Sequence, residues 1–217
     1  MIIALLSTKG GCGKTTITFN LCDSFARKNK KALAIDCDHR QALITVCESL
    51  EEVNKLRFAA TKIQSLDDIE GIKNIETKYD YVLVDTDPVL EDVQRNIILM
   101  AKMVIIPITP SPLDYIEAQK TINVLLQGKQ YNEDLQIYCL MNRFSQRRRN
   151  SNILLEQLKV LKEYGVKIFE QTIGDRASFS NLMAGSSYDL ERNGKGTQEI
   201  DNLSKEVSKI LRRKNHG

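Results

Sequence analysis

The chain has 217 residues and a net charge of +3, is 42% hydrophobic and 27% charged, and contains four prolines and no tryptophan. That length supplies one α/β domain with a substantial core, and the composition excludes a disordered, collagenous or fibrous chain. No stretch approaches the roughly 18 apolar residues of a spanning helix, and the apolar start has no basic leader, so neither a membrane span nor a signal peptide is expected. The five cysteines (Cys12, Cys22, Cys37, Cys47, Cys139) are odd in number, widely spaced and lack a CxxC pair, which suits a reducing, cytoplasmic compartment and gives no zinc pattern.

In chain order, Ile2 to Leu6 reads as a short strand, followed by a glycine loop and a helix from about Thr15 to Lys28. Lys31 to Asp36 is a second strand. Glu48 to Ser65 has poor periodicity, with a candidate strand around Leu56 to Ala60. Asp67 to Thr77 carries isoleucines at helical spacing, and Tyr81 to Asp85 is a strand that closes on an acid. Met103 to Ile108 follows, then a helix opening at Pro112 with Ser111 as its cap. Leu135 to Met141 is a strand, Ile153 to Tyr164 a helix, Val166 to Phe169 a short strand, Leu182 to Thr197 a long loop, and Gly196 to Arg213 a final helix. Apolar strands separated by helices predict a three-layer α/β fold, a mostly parallel twisted sheet covered on both faces. One unit over 1–217 is expected, with a flexible tail at 212–217. Ligands in such sheets bind outside the carboxyl ends of the strands, which gathers the glycine loop, Asp36, Asp38 and Asp85 at one edge.

The segment Lys9-Gly10-Gly11-Cys12-Gly13-Lys14-Thr15-Thr16 carries the GKT ending of a phosphate-binding loop between a strand and a helix. Gly10, Gly11 and Gly13 let backbone N–H groups approach a triphosphate, Lys14 supplies charge at the β and γ phosphates, and Thr15 offers a hydroxyl to Mg²⁺. Two features depart from the ordinary loop: Thr8 stands where a first glycine is expected, and a second lysine, Lys9, precedes the glycine pair. With two histidines in the chain, a histidine-based triad has little support.

The run KGGCGKTT resembles the deviant Walker A motif of the ParA/MinD ATPases, and the resemblance extends over nearly the whole chain. Residues 36–42 resemble the family's DxDPQxS segment, 79–85 its second acidic strand, 104–114 its VIIPxxPSPLD segment, and Met141-Asn142-Arg143 its adenine-side element. The similarity is strongest to small partition ATPases without an amino-terminal helix-turn-helix, since the first strand begins at Ile2. By that resemblance Lys9 crosses a homodimer interface to the partner's ATP, Lys14 acts within its own subunit, Asp38 lies near the attacking water, Asp36 and Asp85 serve Mg²⁺ with Thr15, and Asn142 faces adenine. His39 and Arg40 stand in place of the family's Pro-Gln, Ala42 in place of Ser or Thr, and Asp87 adds a further acid near the site.

The implied function is an ATP/ADP-switched DNA segregation ATPase, whose ATP-bound homodimer holds non-specific double-stranded DNA at the nucleoid until a centromere-binding adaptor stimulates hydrolysis. Charge agrees with it: residues 140–217 hold 15 Lys/Arg against 9 Asp/Glu. Arg147, Arg148, Arg149, Arg192 and Lys195 are the candidate phosphate contacts. The alternative is a MinD-like membrane-surface ATPase, suggested by the stripe Leu203, Val207, Ile210, Leu211 beside Arg212, Arg213 and Lys214. Packing on the sheet accounts for the same stripe, which makes a membrane the less expected partner.

Overall fold

The computed structural model describes residues 1–63, 65, 72, 75, 77–88, 92–145 and 149–213, the side chains of 149–151 and 213 excepted. Seven parallel strands form one sheet: β1 (Ile2–Leu5), β2 (Ala32–Cys37), β3 (Ala59–Lys62), β4 (Tyr81–Thr86), β5 (Met103–Ile108), β6 (Gln136–Met141) and β7 (Val166–Ile168). Their order is β3-β2-β4-β1-β5-β6-β7, which places β1 at the centre. Among the described residues the α-helices are α1 (Lys14–Arg27), α2 (Ala42–Glu52), α3 (Asp92–Met100), α4 (Pro112–Gly128), α5 (Arg149–Val160), the single turn α6 (Ser187–Leu190) and α7 (Lys195–Arg213).

Alternation along the strands divides the core in two. Ile2 and Ala4 of β1 join Val82, Val84, Val104 and Ile106 against α3 to α5. Ile3 and Leu5 join Leu83 and Ile105 against α1, α2 and α7. A parallel sheet buried on both faces needs apolar side chains at consecutive positions, and all six residues of β2, β4, β5 and β6 are buried.

The carboxyl-terminal helix belongs to this core. Leu203, Val207 and Leu211 are at most 4% exposed, and Ile210 is partly buried against the same cluster. Burial of each such side chain contributes about 1.5–3 kcal/mol. Tyr81 on β4 adds a hydroxyl contact to Ser208 at 2.9 Å. The stripe that suggested a membrane surface is therefore spent on packing. Among the described residues no helix is long and apolar enough to cross a membrane.

Several local expectations shift. Ser111 has extended backbone before α4, but its side chain makes no capping bond. The candidate strand near Leu56 to Ala60 is the edge strand β3, displaced toward Lys62. The expected helix to Tyr164 ends at Val160, where a 3₁₀ turn, Leu161–Tyr164, takes over. The expected loop 182–197 contains Leu182–Ala184 in a 3₁₀ turn and α6, whose start is a capping box: Ser186 and Asp189 bond each other's backbone N–H. The helix expected over Asp67 to Thr77 falls largely outside the described residues, as do 214–217 of the expected tail.

Candidate nucleotide-binding site

The glycine loop leaves β1 at the sheet centre and enters α1. Gly11 (φ +77°) and Gly13 (φ +100°) occupy the left-handed region that favours glycine. Gly13 is required twice over, because a Cβ there would lie 2.3 Å from Asn142 Nδ2. No side chain caps α1 and no acid lies in its first turn. A helix start left in that state presents N–H groups and positive dipole to an anion.

The loop's two lysines have different surroundings. Lys14 is buried and donates to the carbonyls of Ser7 (3.3 Å) and Lys9 (3.5 Å). Among the described residues no carboxylate lies within ion-pair distance of it, so the charge is poised for an external anion. Lys9 keeps a 37% exposed side chain and pairs with the buried carboxylate of Asp114 on α4, which also accepts from the Thr109 hydroxyl. The single chain thus holds Lys9 at the rim through a partner that its spacing did not reveal, although Asp114 stands within the 104–114 motif.

Thr8 explains the missing first glycine. Its hydroxyl bonds the carboxylate (3.0 Å) and carbonyl (3.2 Å) of Glu117, and its N–H reaches the Thr121 hydroxyl at 3.2 Å. Its φ is not positive, so the position does not demand glycine and the side chain instead anchors the loop to α4.

The acids gather as expected at the strand ends. Register places Asp36 of β2 beside Asp85 of β4. Asp85 Oδ2 accepts from the Thr15 hydroxyl at 2.5 Å, while Oδ1 is buried without a hydrogen-bond partner. Burial pushes this carboxyl up to about 7, opposed by the Thr15 bond and reinforced by Asp36. An orphaned buried carboxylate oxygen beside a threonine hydroxyl and the phosphate loop fits a hard divalent cation. Thr15 and Asp85 would hold Mg²⁺ here. Asp36 is differently employed: its oxygens accept the N–H groups of Asp38 and Ile44, each at 2.9 Å, which fixes the turn into α2. Its pKa is raised by burial, against those same bonds.

Asp38 follows at the loop tip. Its carboxylate accepts from the Arg40 backbone (2.9 Å) and the Arg40 guanidinium (3.2 Å). His39 Nδ1 contacts Asp87, and that carboxylate raises the imidazole pKa. Two of the three replacements noted in the sequence, His39 and Arg40, are thus paired with acids of the site.

Across the loop, Asn142, the residue after β6, donates to Cys12 O at 2.7 Å while accepting from Arg143 N at 2.9 Å. It lines a cleft beside Gly13 with Arg143, Asp175, Arg176 and Phe179. Asp175 and Phe179 escaped sequence reasoning because they come from a short loop and a 3₁₀ turn without periodic pattern. Of the basic candidates, Arg192 and Lys195 have described side chains. Arg192 sits 5.3 Å from the Tyr188 ring. Lys195 begins α7 beside a groove shared with Arg176. Arg147, Arg148 and the side chain of Arg149 lie outside the described residues.

The sequence pattern of the CobQ/CobB/MinD/ParA nucleotide binding domain matches residues 3–187. The chain belongs to that family. Among curated relatives, it is 21% identical over 210 residues to the maintenance of carboxysome distribution protein A of Halothiobacillus neapolitanus, covering 96% of this chain and 95% of the relative. It is 24% identical over 249 residues to the virulence plasmid ParA family protein pGP5-D of Chlamydia psittaci, with 96% and 95% covered. The cobyrinic acid a,c-diamide synthase of Mycobacterium smegmatis, solved with ADP and magnesium, superposes with a TM-score of 0.75 at 16% identity over 97% of this chain and 95% of that one. The ParA/MinD likeness read from KGGCGKTT and the following motifs is therefore correct, as is the parallel α/β architecture.

Proposed function

We propose that the chain is a ParA-type segregation ATPase: an ATP-sandwich homodimer that binds double-stranded DNA through phosphates and lets go when an adaptor stimulates hydrolysis. The observation that carries the reading is the pair of lysines on one loop, Lys14 buried toward the phosphate cradle and Lys9 held at the rim by Asp114. One ammonium suffices for a nucleotide bound in cis. The second makes sense if it exchanges Asp114 for a phosphate brought by another subunit. Likeness to a virulence plasmid ParA family protein supports cargo segregation, and the basic excess of residues 140–217 supports a polyanionic track.

In hydrolysis, Lys14 and the α1 amides hold the β and γ phosphates, and Asp38, once released by Arg40, orients the attacking water. Bound Mg²⁺ would neutralise phosphate charge between Thr15 and Asp85. Binding to random duplex at low salt, compared without nucleotide and with ADP or ATP, tests the reading. ATP-dependent binding that weakens steeply with salt is expected. Absence of such binding, with ATP-dependent flotation on anionic vesicles instead, would replace the DNA track with a membrane surface.

A further inference from the structure

Strand pairing sets Asp36 beside Asp85, and the last β2–β4 pair is Cys37 with Thr86. Asp38 lies just beyond that pair, where sheet hydrogen bonds no longer fix its position relative to Asp85. The bonds that shape its turn are local: Asp38 N to Asp36 Oδ1, Arg40 N to Asp38 Oδ1, and Gln41 N to Asp38 O at 2.9 Å. None of these reaches β4. His39 does, through the contact of Nδ1 with Asp87 Oδ2, and its backbone N–H approaches the same oxygen at 3.5 Å. His39, a departure from the motif, and Asp87, the further acid after β4, lie in separate segments, and the fold joins them.

We propose that His39 and Asp87 are a positioning pair for hydrolysis, tying the loop that carries Asp38 to the strand end that carries Asp85. The inference rests on the ATPase reading above. Asp87 is 8% exposed and supplies the fixed side of the tie; the His39 side chain is 73% exposed and supplies the loop side. Both residues lie outside the loop 9–16 in sequence, so losing the pair is expected to leave ATP binding in place and to misplace Asp38 in the hydrolytic step. Small displacements of an orienting group carry large rate costs.

Steady-state kinetics on His39→Ala, His39→Asn, Asp87→Ala and the double alanine variant test this, each beside its melting temperature and its affinity for a non-hydrolysable ATP analogue. Each single alanine change is expected to lower kcat about tenfold with KM within about twofold. The double variant should be no slower than the slower single, because each single already breaks the His39 Nδ1–Asp87 contact. His39→Asn, which retains an N–H donor near the Nδ1 position, should recover most of the loss. Unchanged kcat in both single variants, multiplicative losses in the double, or no recovery by asparagine would overturn the pair. So would stoichiometric binding of Zn²⁺ alone that His39→Ala abolishes, because the ligating atoms of Asp38, His39 and Asp87 lie within 4.8 Å of one another and would then form a cation site. Lys14→Ala is the control: wild-type turnover no faster than that variant's removes the ATPase reading together with the pair. Clear wild-type turnover with unaffected His39 and Asp87 variants removes the pair alone.

Discussion

The phosphate loop and the 38–41 segment leave β1 and β2, the strands on either side of β4, toward the same edge, yet they are held by different means. The loop is shaped by backbone: positive-φ glycines, an uncapped helix start, and carbonyls around Lys14. The 38–41 segment is shaped largely by side-chain pairs, Arg40 on Asp38 and His39 on Asp87, with Gln41 at φ +53° before α2. A backbone-built site tolerates few sequences and is therefore recognisable. A side-chain-built one can change partners while keeping its place.

The largest expected effect lies in the backbone-built half. Lys14→Ala should weaken ATP binding by at least about a hundredfold, since a buried ammonium facing the phosphates is removed; near-normal affinity in a titration would show that the cradle is misassigned. In the other half, Asp38→Ala should retain ATP and slow turnover by about a hundredfold, the scale of an orienting or general-base group. Equal losses in binding and turnover would erase the contrast between the two segments.

Asp85 belongs to both halves through Thr15 and Asp36, and it predicts a pH dependence. Its carboxyl rises from an ordinary carboxylate value to about 7 on folding, so its contribution to stability is present in acid and is lost as pH climbs through about 7. Nucleotide-free wild type should melt several degrees lower at pH 8 than at pH 6, whereas Asp85→Asn should lack this drop and lose magnesium-dependent nucleotide affinity. Parallel melting curves for both proteins across that range would contradict the burial argument. The smallest effect is Thr8→Gly, which removes the hydroxyl bonds to Glu117 and should cost about 1 kcal/mol in denaturant unfolding while leaving ATP affinity nearly intact.

The sequence displayed the sheet, the phosphate loop and Asp36, Asp38 and Asp85 because each depends on a local pattern: apolar runs, glycines at fixed spacing, acids at strand ends. It concealed α2 and α3, which went unplaced. Asp36 starts α2 from six residues away by accepting Ile44 N–H, and Gln41 enters it in the left-handed region without a side-chain cap. The Lys9–Asp114, Thr8–Glu117 and His39–Asp87 contacts were hidden for another reason. They join residues 105, 109 and 48 positions apart, and no periodicity links such positions.

On the proposed function, Lys9 serves a second subunit. Sedimentation of Lys9→Ala at saturating ATP and Mg²⁺, beside an ATP titration of the same protein and of wild type, tests it most directly. The variant is expected to bind ATP nearly as well as wild type, since Lys14, the α1 amides, Thr15 and Asp85 remain, yet to stay monomeric where wild type dimerises. Full ATP-dependent dimerisation of Lys9→Ala at wild-type protein concentrations would contradict it.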